Sequence, residues 1–140
     1  MALTYAQITL INAYDKVVVK HELESESTIR QIKVNALADS KALYLTINED
    51  IKNQLGLEFI RTEKVKLDNG ELIDAEIVGL VEVHFENTLT HCNAMVLPIN
   101  DVLLGSMQFL AMNLDIDKTT NKVFEKPFIK LRNSVRRILE

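Results

Sequence analysis

An apolar run ends in an acid and a small hydroxyl residue in the stretch Ala36-Leu37-Ala38-Asp39-Ser40-Lys41-Ala42. The preceding alternation from 29 to 37 is typical of a half-buried β-strand. A second segment, Val102-Leu103-Leu104-Gly105, is fully apolar and stops at glycine, ahead of a helical pattern over 107–112. We therefore predict two strands whose ends lie side by side, one followed by the carboxylate of Asp39 and the other by a turn at Gly105.

An Asn-Gly pair lies between them, in Leu67-Asp68-Asn69-Gly70-Glu71-Leu72. Asn-Gly between two strand-like runs is the strongest short-range signal for a β-hairpin, because both residues accept positive φ. We therefore expect a hairpin that turns at Asn69-Gly70, with the alternating run 72–78 as its second strand.

The remaining pattern has mainly period two, which predicts a mainly β chain. Asn48 suits an N-cap and Gly56 a C-cap, so one short helix is expected between them. The second short helix is the pattern over 107–112. Further strands are predicted at Ile8-Thr9-Leu10, Val17-Val18-Val19, 43–47, 65–67, 80–85, 92–97, 102–104 and in a final pair turning at Thr119-Thr120-Asn121. Residues 21–28 are expected to form a connecting loop.

Composition indicates one soluble domain. The chain has 140 residues, 47% of them hydrophobic and 26% charged, with a net charge of -4. Cys92 is the single cysteine, so no internal disulfide can form, and no apolar run or signal-like N-terminus suggests membrane insertion or export. We predict a cytoplasmic protein with neither membrane nor nucleic acid as its partner.

In this order, the segments resemble the retropepsin-like aspartic proteases of bacteria (clan AA). The resemblance runs from about Thr4 to Phe124, so 1–125 is expected to form the protease-like domain. The matching segments are Asp39-Ser40, Leu55-Gly56-Leu57, Leu67-Asp68-Asn69-Gly70, Val96-Leu97-Pro98, Val102-Leu103-Leu104-Gly105, Leu110 and Leu114-Asp115-Ile116-Asp117. The resemblance implies a closed β-barrel of the acid protease type with a flap hairpin, and neither a cofactor nor a metal ion.

The resemblance also implies an aspartic endopeptidase. Peptide hydrolysis by aspartate requires two carboxylates that share one proton, and the chain holds one such motif. A symmetric homodimer would supply the second Asp39, with Ser40 bracing the two motif loops. Residues 67–72 would form the flap over a peptide or protein substrate, and Leu103, Leu104 and Gly105 would support the site.

The motif departs from the family at Lys41, which stands before Ala42 where the family has glycine. Glycine allows close approach of backbone and substrate because it has no Cβ. A lysine adds bulk in the cleft. If its ammonium turned toward the dyad, the pair of Asp39 carboxylates, it would favour the state in which both are ionised, and their shared proton would be lost. The alternative function is therefore a pseudoprotease, a dimeric module that binds a peptide or a protein without cleaving it.

Simpler interpretations stay open for individual residues. Asp39 and Gly105 each suit an ordinary turn. His91 and Cys92 are neighbours in a strand, so their side chains point to opposite faces, and His84 completes no recognisable zinc spacing. All three are expected to be structural or surface residues.

The last fifteen residues, 126–140, carry a local charge of +4. Phe128, Leu131, Val135 and Ile138 follow helical spacing, which predicts a basic amphipathic C-terminal helix. It would dock on the domain or on its dimer mate. A weaker alternative is binding to a partner or to nucleic acid.

Overall fold

Strands make up most of the computed structural model, which describes residues 3–21 and 28–128. The elements in chain order are β1 (Tyr5–Asn12), α1 (Ala13–Lys20), β2 (Gln31–Ala38), β3 (Leu45–Ile47), α2 (Glu49–Leu55), β4 (Glu58–Lys66), β5 (Leu72–Phe85), β6 (Thr88–Val96), β7 (Leu103–Leu104), α3 (Ser106–Met112), β8 (Leu114–Asp117) and β9 (Lys122–Glu125). The mainly β class is as predicted from the sequence.

Seven strands form one sheet in the order β1-β2-β7-β3-β6-β5-β4. β1 also pairs antiparallel with β5, so six of the seven strands are joined in a ring of pairings, and β4 lies outside the ring. β2 pairs with β7 in parallel, and β3 pairs with β6 in parallel. The β2–β7 pairing brings the segment after β2 next to the segment after β7, where the two sequence motifs lie.

The alternation of apolar residues places one face of this sheet in the core. Leu10, Leu45, Ile47, Val78 and Leu104 are all fully buried. Burying a side chain of this kind contributes on the order of 2 kcal/mol each. A second, smaller cluster consists of Ala75, Ile77 and Met95, with Tyr44, Val65 and Leu97 packed against it. This smaller cluster lies where β4, β5 and β6 pair, next to the hairpin.

The helix expected after Asn48 is confirmed. The Asn48 side chain accepts a hydrogen bond from the Ile51 N–H at 2.9 Å, and Gly56 ends α2 with a left-handed φ of 62°. The second predicted helix is α3, and the predicted final strand pair is β8 with β9, which turns at Asn121.

The prediction of a strand at Val17-Val18-Val19 was wrong, since these residues lie in α1. Asn12 caps this helix by accepting a hydrogen bond from the Asp15 N–H at 3.1 Å, and Lys16 forms an ion pair with Glu82 on β5. Valine loses only a fraction of a kilocalorie per residue in a helix relative to better helix formers, so a cap and a tertiary contact outweigh its strand preference. The described residues therefore contain three helices, one more than predicted.

Strand boundaries also differ from the sequence prediction, and the differences are largest in β4 and β5. The runs 72–78 and 80–85 form one continuous strand, β5, with a register shift against β6 between Val78 and Val81. β4 begins at Glu58, well before the predicted strand at 65–67. The predicted tail helix lies almost entirely outside the described residues. None of the helices in 3–21 and 28–128 is long and apolar enough to cross a membrane.

Candidate active site

Asp39 follows directly after β2, in a turn held by main-chain hydrogen bonds. Its N–H donates to the Leu104 carbonyl at 3.1 Å, and its own carbonyl accepts from the Ala42 N–H at 3.2 Å. Its carboxylate Oδ1 accepts from the Lys41 N–H at 2.9 Å. The side chain of Asp39 is thus oriented by the backbone of its own turn.

β7 and the residues after it form strand pairings and main-chain hydrogen bonds with the residues on both sides of this turn. Leu37 pairs with Leu103, and Ala38 pairs with Leu104. Past β7, the Ser106 N–H donates to the Ala42 carbonyl at 2.9 Å, and the Met107 N–H donates to the Leu43 carbonyl at 3.2 Å. The two sequence motifs are therefore joined by main-chain hydrogen bonds.

Gly105 is required by this close approach. A Cβ at position 105 would lie 2.8 Å from the Leu43 carbonyl oxygen and 2.9 Å from that of Ala42. Both neighbours are backbone atoms, which cannot move aside as a flexible side chain can. The φ of Gly105 is -88°, so close contact rather than an unusual conformation excludes other residues.

Lys41 occupies the turn without a left-handed backbone. The residues other than glycine with positive φ in the described chain are Glu86, Asn113 and Asn121. Position 41 therefore does not need glycine for its φ angle. The Lys41 side chain is exposed, and its ammonium forms no ion pair with Asp39 or another carboxylate of the described residues.

A cleft of about 460 Å³ opens above this turn. Asp39 and Lys41 lie on one side, and Lys66, Leu67 and Asp68 of the β4–β5 hairpin lie on the other. Most of the remaining lining is apolar, from Leu43, Tyr44, Val65, Met95, Leu97, Ile99 and Leu103. The cleft can accommodate an apolar segment of peptide beside the Asp39 carboxylate.

The hairpin turns at Asn69-Gly70, as predicted. Lys66 pairs with Leu72, the Leu67 N–H donates to the Glu71 carbonyl at 2.8 Å, and the Gly70 N–H donates to the Leu67 carbonyl at 2.8 Å. Gly70 has a φ of 87°, and the Asn69 side chain accepts from the Glu71 N–H at 2.8 Å. Leu67 and Asp68 line the cleft, whereas residues 69–72 do not.

Ser40 lies apart from the cleft. It lines a separate apolar pocket of about 180 Å³ together with Ser106 and Phe109 of α3 and Asp115 and Ile116 of β8. Asp39 and Ser40 therefore point toward different surfaces, although they are neighbours in sequence.

A cluster of polar side chains lies elsewhere, around the buried carboxylate of Glu82 on β5, and the sequence did not reveal it. Glu82 is 5% exposed, and its carboxylate accepts from Lys16 Nζ at 2.7 Å. It also lies 2.5 Å from Nε2 of His84 and 3.0 Å from Nε2 of His91. Burial raises the pKa of Glu82, but the hydrogen bonds from Lys16, His84 and His91 and the charge of Lys16 outweigh it and lower that pKa to about 2.

The cross-strand register explains why this cluster was missed. Glu82 and His84 share a face of one strand, which spacing alone indicates. His91 joins them because it pairs with Glu82 across a two-residue turn at Glu86-Asn87. That turn lacks the Asn-Gly signature that would have fixed the register in advance.

Cys92 lies on the opposite face from His91, as predicted, and packs against the main core. Burial raises the pKa of its thiol to about 11, so the thiolate is scarce at neutral pH. No group of three or more His, Cys, Asp or Glu residues in 3–21 and 28–128 is arranged to hold a metal ion.

No protein-family model and no curated protein sequence matches the chain. Solved structures do match it. The retroviral protease-like domain of Ddi1 from Leishmania major is 17% identical, with a TM-score of 0.56 and 91% of each chain covered. A retropepsin-like aspartic protease from Rickettsia conorii is 18% identical, with a TM-score of 0.45 over 62% of this chain and 70% of that one. The match to the Ddi1 domain over 91% of both chains shows that the chain has a retropepsin-like, mainly β fold.

Proposed function

We propose that the chain is a homodimeric aspartic endopeptidase of the retropepsin type, with activity weakened by Lys41. The observation that carries the proposal is the cleft of about 460 Å³ between Asp39 and the β4–β5 hairpin. The backbone of its own turn orients the Asp39 carboxylate. A fixed carboxylate beside a peptide-sized, mainly apolar cleft is one half of what hydrolysis by aspartate requires.

The chemistry needs the Asp39 of a second copy. One Asp39 removes a proton from water, and the water oxygen attacks the peptide carbonyl carbon. The other Asp39 donates its proton to the carbonyl oxygen. When the intermediate collapses, the first Asp39 gives its proton to the amide nitrogen and the C–N bond breaks. A hydroxyl of the intermediate returns its proton to the second Asp39, so the amine and the carboxylic acid leave and the shared proton is restored. Two carboxylates about 3 Å apart retain a shared proton because both cannot ionise together.

Surface features next to the motif turn support dimerisation. Ser40 faces away from the cleft, toward an apolar pocket beside α3, where it is available to brace the partner's turn. Two large apolar side chains on α3 are exposed, Leu110 at 83% and Met107 at 47%. Exposed apolar surface beside a site that contains only one of the two required aspartates is suited to an interface between two copies of the chain.

The β4–β5 hairpin is proposed to act as the flap. Leu67 and Asp68 line the cleft, and the turn at Asn69-Gly70 extends beyond it. Closing such a hairpin over the substrate would exclude water from the dyad.

A peptide-library assay at acidic and neutral pH tests the activity, with the natural chain, Lys41→Gly and Asp39→Asn. We expect weak cleavage by the natural chain, at least tenfold more by Lys41→Gly, and none by Asp39→Asn. Cleavage that survives Asp39→Asn would refute the role of the dyad. A monomer at every concentration in sedimentation velocity would refute the shared site.

The second candidate is a dimeric peptide-binding pseudoprotease. Lys41 favours it, because its side chain shares the cleft with Asp39 and adds bulk and positive charge there. Under this alternative the natural chain and Asp39→Asn bind the same peptides equally and cleave none. Cleavage by Lys41→Gly alone would show that Lys41 prevents catalysis at an otherwise competent site.

A further inference from the structure

Two lysines line the cleft, and neither has a carboxylate partner. Lys41 lies in the motif turn, and Lys66 lies at the end of β4. Within the described residues Lys41 and Lys66 form no ion pair, as is true of several other lysines. What distinguishes these two lysines is that they line the cleft. The cleft lining is mainly apolar apart from Asp39, Asp68 and these two lysines, and neither lysine forms an ion pair with the two aspartates.

Lys41 has the larger consequence because it is two residues from Asp39. An ammonium near two carboxylates favours the state in which both are ionised, and the shared proton is then lost. A negative side chain on the substrate would pair with the ammonium and offset this effect. Lysine has a flexible four-carbon stem, so its charge can move to such a partner.

We propose that the cleft selects peptides with an aspartate or glutamate beside the scissile bond, and that Lys41 is the specificity-determining residue. This inference rests on the proposed function of the same site. The carboxylate of the substrate pairs with Lys41, and neighbouring apolar residues of the peptide occupy the surface formed by Leu43, Leu97 and Leu103. Lys66 provides a second cation on the hairpin side.

Matched peptides test the inference. Three fluorescent apolar heptapeptides differ only at one central position, which is Glu, Gln or Lys. Their binding is measured by fluorescence anisotropy on the Asp39→Asn background, where cleavage cannot interfere. We expect the Glu peptide to bind about five- to tenfold more tightly than the Gln peptide, with the preference falling as salt rises.

Substitutions at Lys41 identify the source of the preference. Lys41→Met should abolish it, and Lys41→Glu should reverse it in favour of the Lys peptide. Lys64→Met is the control for loss of a lysine charge near the cleft, because Lys64 lies on β4 with Lys66, pairs with Asp74 and does not line the cleft. Equal binding of the Glu and Gln peptides, or a preference that survives Lys41→Met, would overturn the inference.

Cleavage assays separate this inference from the proposed function. If neither the natural chain nor Lys41→Gly cleaves any peptide while the Glu preference persists in binding, catalysis is refuted and the selectivity stands. If the natural chain cleaves Glu and Gln peptides equally, the selectivity is refuted and catalysis stands.

Discussion

Replacing Glu82 with glutamine should test how far one buried carboxylate stabilises the fold. The carboxylate accepts from Lys16 Nζ at 2.7 Å and lies within hydrogen-bond distance of His84 and His91. Its pKa falls from 4.5 to about 2 on folding. Each unit corresponds to about 1.4 kcal/mol, which gives roughly 3 kcal/mol for the ionised side chain. The half-exposed Lys16 reduces this, so we expect a loss of about 2–3 kcal/mol for Glu82→Gln at pH 7.

The loss should depend on pH in a defined direction. A carboxylate whose pKa is lower in the folded state contributes its full stabilisation above the pKa of the unfolded chain. For Glu82 that contribution is present above about pH 4.5 and disappears as the pH falls toward 2. The difference between natural chain and variant should therefore shrink progressively over this range.

Urea unfolding followed by circular dichroism at pH 7, 5 and 3 measures the effect. At pH 7 the melting temperature of Glu82→Gln should also fall by roughly 5–10 °C. Glu58→Gln is the control, because Glu58 is an exposed strand residue that undergoes the same chemical change. If the two variants unfold within about 0.5 kcal/mol of each other at pH 7, Glu82 does not stabilise the fold as argued.

Three further predictions follow from local geometry. Gly105→Ala should destabilise the fold by roughly 2–4 kcal/mol in urea unfolding, since its Cβ would meet carbonyl oxygens at 2.8–2.9 Å; a loss below 1 kcal/mol would show that the turn can open. Asn48→Ala should lower the free energy of unfolding by about 1 kcal/mol in the same assay, because the Ile51 N–H loses its hydrogen-bond acceptor. Asn48→Asp should retain most of the stability, because its carboxylate can accept the same hydrogen bond. Cys92, with a pKa of about 11, should react with iodoacetamide at pH 8 far more slowly in the folded than in the urea-unfolded protein, and equal rates would contradict its burial.

Local signals in the sequence predicted those parts of the fold that depend on local chemistry. Asn48 and Gly56 bound α2 because a cap side chain and a left-handed φ are properties of single residues. The hairpin at Asn69-Gly70 follows for the same reason. The α1 helix was missed because its stability depends partly on Lys16 meeting Glu82, sixty-six positions away.

The candidate site was predictable as a pair of motifs but not as a cleft. Asp39 and Gly105 were identified from the order of segments along the chain. Tyr44 and Ile99 were not, since they line the cleft only after β3 and the segment following β6 come together. The position of Lys41 and Lys66 on the cleft, without an ion pair among the described residues, was equally hidden, because it is a property of the folded arrangement.

Lys41 shows how the structure refines an inference from a motif. A glycine at that position provides two things, a main-chain N–H and the absence of a side chain. The Lys41 N–H still donates to Asp39 at 2.9 Å, and its backbone avoids positive φ, so the orientation of the carboxylate does not depend on glycine. Only the empty space above the turn is lost. A lysine that keeps the carboxylate in place while adding a charge to the cleft changes what the site accepts, and the response of Lys41→Met to matched Glu and Gln peptides measures that change directly.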